Sequence, residues 1–188
     1  MIPLKNIIGH FNTICRHKYW VAHYCFKMGL YKQGLLHDLS KLSNEEFWEG
    51  AKYYQGDKSP IPICKKRNNG ESKAWLHHKG RNKHHCEYWM DCDYDKTPLK
   101  PIFNPIPYNY VLEMICDWLA AGRTYKGKKF KFEDEWEWWG NRKKNLAINY
   151  KTEIFINNIL KGICQTNKID RESIRFLCDI YNSTIKQK

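Results

Sequence analysis

The sequence predicts an all-α fold in a single domain over residues 1–188. Three observations lead there: apolar residues recur at helical spacing in several segments, no segment reads as a strand, and helix-start and helix-stop residues bracket the periodic stretches. At 188 residues, with 42% apolar and 15% aromatic content, the chain can bury a core without staples and lies outside the composition of disordered chains.

Pro3 opens the first helix and Gly29 closes it, following the end preferences of these two residues. Leu4, Ile7, Ile8, Phe11, Ile14, Cys15, Ala22 and Cys25 mark its expected buried stripe. At about 100° per residue, His10 and His17 fall at the edge of that stripe and His23 nearly opposite it. A second helix is expected over 30–41, with His37, Asp38 and Lys41 following the Leu35-Leu36 pair.

Ser43-Asn-Glu-Glu46 reads as a capping box opening a third helix that carries Phe47, Trp48 and Ala51. Residues 55–73, rich in Pro, Gly, Asn and Lys, read as a long surface loop. Two short helical pieces, 74–79 and 82–89, flank Gly80, and the prolines between 97 and 107 exclude a helix interior. Residues 108–123 form a strong helix with Val111, Met114, Ile115, Trp118 and Leu119 inward. A basic segment, an acidic one whose Trp136, Trp138 and Trp139 read as core or staple packing ahead of stacking on bases, and two closing helices at 151–162 and 169–186 complete the chain.

The eight cysteines are scattered without a C-x-x-C pair, so they read as reduced, partly buried thiols and not as a zinc ribbon. No run of about 18 apolar residues exists, and the N-terminus mixes Lys, His and Arg into its apolar positions, so a cytoplasmic protein without a membrane partner is expected. A formal charge of +12 favours a phosphate-bearing substrate or a nucleic acid, and it also suits a solvated lysine-rich surface.

The histidines carry the chemical information. Five of the eight fall in three tight groups, His37-Asp38, His77-His78 and His84-His85. Imidazole nitrogen with carboxylate oxygen is the donor set that Zn, Mn, Fe and Ni accept, and one Asp can bridge two ions. A buried Asp without a cationic partner carries a large desolvation cost, which makes a packing role for His37-Asp38 hard to sustain.

His37-Asp38-Leu-Ser-Lys41 resembles the HD-x-x-K signature of the HD phosphohydrolase superfamily, whose members are helical bundles that bind metal. The resemblance implies an HD-type bundle with its metal-site core at about 10–125 and the C-terminal helices 151–186 packed on it. It implies His17 as the earlier His ligand and Asp117 as the later Asp, and His84-His85-Cys-Glu87 resembles the HHE element of two-metal members. HDLSKLSNEEF, AWLHHKGRNKHHCEYW and VLEMICDWLAAG are similar to a family of small bacterial and phage proteins of unsettled function.

The metal ligands expected are therefore His17, His37, Asp38, His78, His84, His85 and Asp117, holding one or two divalent ions of Mn, Fe, Zn, Ni, Co or Mg. His77 is the weaker candidate of its pair. Asp38 and Lys41 are the expected catalytic pair, with Lys41, Arg81 and Arg123 reaching the phosphate. Lys65-Lys66-Arg67 and residues 126–131 could rim an entrance. The function implied is hydrolysis of a nucleotide or cyclic (oligo)nucleotide phosphate ester. A basic nucleic-acid-binding protein with a structural metal and an HD-like di-iron oxygenase are the alternatives.

Overall fold

Pro3 and Gly29 do bracket the first helix. In the computed structural model, which describes residues 1–186, α1 spans Leu4–Lys27 and Gly29 follows it at φ +83°. Its buried side is rotated from the expected stripe. Leu4, Ile8, Phe11 and Cys15 are exposed, whereas His10, Thr13, Ile14, His17, Val21, Tyr24 and Cys25 are buried. The apolar count of α1 misled because its inward face carries polar residues toward a cavity. His23 is half-buried, edge-on to Trp20 and Tyr24, and not the solvent-facing residue expected.

The second helix is shorter than expected. After α2 (Tyr31–Leu36) the chain breaks at His37-Asp38 and resumes as a 3₁₀ turn over Leu39–Leu42. Asp38 sits in the left-handed region at φ 53°, which ends the helix. Only half of the capping box forms at α3 (Asn44–Lys52): the Ser43 hydroxyl accepts from the Glu46 amide, but the Glu46 carboxylate is engaged elsewhere.

The expected loop at 55–73 contains a helix, α4 (Pro60–Arg67), begun by Ser59 as N-cap and Pro60 in the first turn. Gly80 does not interrupt α5, which runs Lys73–Arg81 and ends where the Asn82 side chain donates to the His78 carbonyl. A 3₁₀ turn, Cys86–Trp89, then leads into an antiparallel hairpin of β1 (Met90–Asp93) and β2 (Lys100–Phe103), with Met90 opposite Phe103 and Asp93 opposite Lys100. The Met-Asp-Cys-Asp alternation of β1 is only four residues long and β2, Lys-Pro-Ile-Phe, carries none, so neither reads as a strand.

The fold is all-α apart from that hairpin. α6 (Tyr108–Lys126) packs along α1, and α7 (Phe132–Arg142), α8 (Tyr150–Thr166) and α9 (Arg171–Lys186) complete the core. Val21, Val111, Ile115, Leu119, Trp139, Ile156 and Ile159 are all essentially inaccessible. Of the tryptophan cluster, Trp139 alone is core, donating to Asn157 Oδ1 at 2.7 Å, while Trp136 and Trp138 are exposed and Trp118 is half-buried.

The closing helices are pinned by a buried polar chain in which the Ile106 amide donates to Thr152 Oγ1 and Tyr181 Oη donates to the Ile106 carbonyl. All eight cysteines are free thiols, five of them buried. Among the described residues no helix is long and apolar enough to cross a membrane.

Candidate metal centre

Five segments converge on one point inside the bundle. α1 supplies His17, the break after α2 supplies His37 and Asp38, α5 supplies His78, the turn after it supplies His84 and His85, and α6 supplies Asp117. The break itself matters. With Asp38 left-handed, a conformation that costs on the order of 1–3 kcal/mol, its carboxylate and the His37 ring both turn inward. Lys18 steadies the break by donating to the His37 carbonyl at 2.5 Å.

The ligand atoms form two groups that share Asp38. His17, His37, Asp38 and Asp117 make one, and Asp38, His78, His84 and His85 make the other, with the offered atoms of each group within 4.8 Å of one another. The carboxylate is divided between them. Oδ2 lies 3.2 Å from His37 Nε2, whereas Oδ1 lies 3.4 Å from His84 Nε2 and 3.5 Å from His78 Nε2. In the first group Asp117 Oδ1 stands 2.8 Å from His17 Nε2 and 3.4 Å from His37 Nε2.

These atoms are close but poorly aimed at one another. Eight buried side-chain polar atoms among the described residues make no hydrogen bond, and six of them are His17 Nε2, His37 Nε2, both Asp38 oxygens, His84 Nε2 and His85 Nε2. Lys41 faces one of them, Asp38 Oδ2, at 2.5 Å; an unpartnered buried polar atom costs about 1–3 kcal/mol, so the concentration of the others in one place calls for a physical partner. Lone pairs converging on a common point are what an ion requires. Metal bonds of about 2.1 Å put neighbouring donor atoms roughly 3.0–3.4 Å apart, near the separations found.

Two carboxylates that spacing and resemblance did not single out complete the arrangement. Glu113 Oε1 lies 3.0 Å from His37 Nδ1 and 3.3 Å from His84 Nδ1, so a single oxygen orients one histidine from each group. Glu46 spans two histidines of α5, its Oε1 2.7 Å from His77 Nδ1 and its Oε2 2.7 Å from His78 Nδ1. Such outer carboxylates fix the tautomer and aim the far nitrogen at the metal. His37, His84 and Glu113 could by themselves form a third ligand group. A neutral imidazole has one lone pair, however, and the unpartnered Nε2 atoms assign it to the Asp38 side.

A family model matches residues 6–162. The chain belongs to that family, described as a family of unknown function (DUF5662). No match is found among curated proteins or among solved structures. The DUF5662 match spans every residue of both ligand groups and both orienting glutamates, and it stops before α9.

The electrostatics of the DUF5662 site follow from burial and close charge. Burial would raise the carboxyls of Asp38 and Asp117, but His37 and Lys41 hold the first well below its ordinary range and His17 and His37 the second. Burial and Lys41 lower His17, and burial with the neighbouring His84 and His78 lowers His85 well below its usual value. His37 goes the other way, because Asp38, Asp117 and Glu113 outweigh its burial.

A cavity of about 260 Å³ opens against the site, walled by His17, His78, His85 and Asp117 and also by Lys41. Lys41 Nζ lies 2.5 Å from Asp38 Oδ2, and its side chain keeps 31% of its surface accessible. The other expected phosphate contacts are not on this cavity. Arg81 is exposed and lines a separate hollow that His37, Asp38, His84 and Glu113 also line. Arg123 lies over the Trp20 ring at 4.9 Å and faces a different hollow with Tyr24 and Lys131. Glu87 accepts from its neighbour Cys86 and joins no ligand group.

Of the expected rim, the first turn of α4 lines the cavity and its last turn carries Lys65, Lys66 and Arg67, with Lys65 over the Trp75 ring. Lys126 pairs with Asp134.

Proposed function

We propose that this chain is a metal-dependent phosphohydrolase of the HD type acting on a nucleotide phosphate ester. The observation that carries the reading is the division of the Asp38 carboxylate between two ligand groups, with Lys41 and a cavity beside it. His17, His37, Asp117 and Asp38 Oδ2 would hold one ion, and His78, His84, His85 and Asp38 Oδ1 a second. Three imidazoles in the second group favour Zn, Mn, Fe, Co or Ni, and make Mg, which prefers oxygen donors, the poorest match.

A divalent ion supplies Lewis acidity that polarises a phosphoryl oxygen and makes water acidic enough to attack near neutral pH. The chain does the rest. Glu113 and Glu46 hold the imidazoles in one orientation, so the donor set needs little reorganisation on binding. Lys41, charged and on the cavity wall, can stabilise the negative charge that builds on phosphate oxygens as the ester breaks. Ile14, Ile61, Ala74 and Ala121 on the same wall lower the local polarity, which strengthens that interaction.

Metal analysis of protein purified without added metal, followed by a phosphate-release assay on a nucleotide panel, tests the reading. One or two equivalents of a transition metal and release from at least one nucleotide are expected. Iron with oxygen consumption and no phosphate release would shift the reading to a di-iron oxygenase. Salt-sensitive nucleic-acid binding without turnover would leave a binding protein with a structural metal.

A further inference from the structure

We infer that the substrate is a compact phosphomonoester whose other half is an uncharged ring, received by a pocket that His10 and Tyr54 form. This rests on the phosphohydrolase reading for the phosphate end alone.

Size and charge set the class. At about 260 Å³ the cavity lies just under the range of roughly 300–1,000 Å³ usual for ligand pockets. Among the described residues Lys41 is the only lysine or arginine on its wall. A triphosphate or an oligonucleotide would bring several phosphates into a space with one cation and too little room. Of the 32 lysines and arginines of the chain, Lys32, Arg81 and Lys83 line the separate hollow that His37 and His84 also line.

The end of the cavity along α1 is built for a flat group. His10 precedes His17 by two helical turns, so it stands about 10 Å along α1 from the ligand set at 1.5 Å per residue. Tyr54, Trp75 and Tyr125 line the same cavity. Two glycines make the wall possible. A Cβ on Gly50 would lie 2.3 Å from His10 Nε2, and one on Gly9 would lie 2.5 Å from Tyr54 Cε1, so each ring occupies space that only glycine leaves.

His10 is 92% buried by its 8% relative exposure, and its Nδ1 makes no hydrogen bond. Burial and Lys41 lower its pKa to about 4, so the ring is neutral at physiological pH. A neutral, buried, unpartnered nitrogen suits a polar atom on an uncharged ring. It would repel neither a pyrimidine-like heterocycle nor a phenol, and it brings no positive charge to a second phosphate. The Tyr54 hydroxyl is already within 3.3 Å of Thr13 Oγ1, which fixes the other side of the wall.

The test is calorimetric binding of phenylphosphonate and methylphosphonate, neither of which is hydrolysable, to the metal-loaded protein. Stacking on aromatic side chains predicts phenylphosphonate about ten- to a hundredfold tighter. His10→Leu and Tyr54→Leu should erase that preference while methylphosphonate affinity stays within about twofold, and Tyr54→Phe, which keeps the ring, should retain it. Equal binding of the two phosphonates, or no binding of either, overturns the inference. So does ATP or a dinucleotide binding as tightly as phenylphosphonate. If the ring preference is present and depends on His10 and Tyr54 but no phosphate ester is hydrolysed, the pocket stands and the hydrolase reading falls.

Discussion

Lys41 Nζ stands 2.5 Å from Asp38 Oδ2, three residues back across the 3₁₀ turn, on the oxygen that faces His37. The ion pair is not sealed off, because the lysine keeps part of its surface on the cavity. This arrangement separates two roles. Asp38→Ala should remove bound metal and turnover together, since both ligand groups share that carboxylate. Lys41→Ala should retain metal and fold while lowering turnover by about one to three orders of magnitude. Metal content, circular dichroism and phosphate release on the two variants decide it. Unfolding of Lys41→Ala would reduce the lysine to a structural partner of Asp38.

The orienting glutamates make a second contrast. Glu113 touches His37 of one group and His84 of the other, so Glu113→Gln should weaken both sites by about 10–100-fold. Glu46 touches only His78 among the ligands, so Glu46→Gln should weaken the second site and spare the first. Metal titration resolves the two steps, and identical losses in both variants would contradict the assignment.

His10 gives a pH dependence in the metal-free protein. Its pKa is about 4 folded against an ordinary 6.5, so between those values the unfolded chain binds more protons. The stability it contributes is complete above pH 6.5 and is lost as pH falls toward 4. Lowered His17 and His85 act with the same sign. Removing His10 should therefore reduce the slope without abolishing it. Thermal unfolding of wild type and His10→Leu in chelator, from pH 7 to pH 5, should show the shallower fall in the variant, and parallel curves would refute it.

Gly50→Ala tests the cradle directly. The added Cβ would meet the His10 ring at 2.3 Å, and overpacking of this kind costs about 1–3 kcal/mol. Denaturant unfolding should show that loss, or phenylphosphonate binding should weaken as the ring swings into the cavity. Gly80→Ala, in a helix where a Cβ meets nothing within 4 Å, serves as the control and should stabilise by about 0.5–1 kcal/mol.

Much of the fold was legible where the signal was local. Pro3 and Gly29 bounded α1, and the apolar spacing of 108–123 located α6 almost to its ends, because caps and periodicity act within one helix. The α4 start was also present in Ser59-Pro60, but it was outweighed by the loop-like composition around it. Glu113 could have been found from its four-residue spacing to Asp117, which puts both on one helix face. Glu46 was hidden by a second valid reading, since Ser43-x-x-Glu46 is also a capping box.

By itself the sequence determined the all-α class, the helix limits set by Pro, Gly and Ser, and the residues able to serve as ligands. It could not determine the break at Asp38, the rotation of α1 that buries His10 and His17, or which Asp38 oxygen faces which histidines. Those depend on contacts between segments as far apart as His17 and Asp117, where no sequence spacing encodes distance. Periodicity reports only which residues share a face of their own helix, whereas the packing of α1 against α6 and of α3 against α5 decides which faces meet.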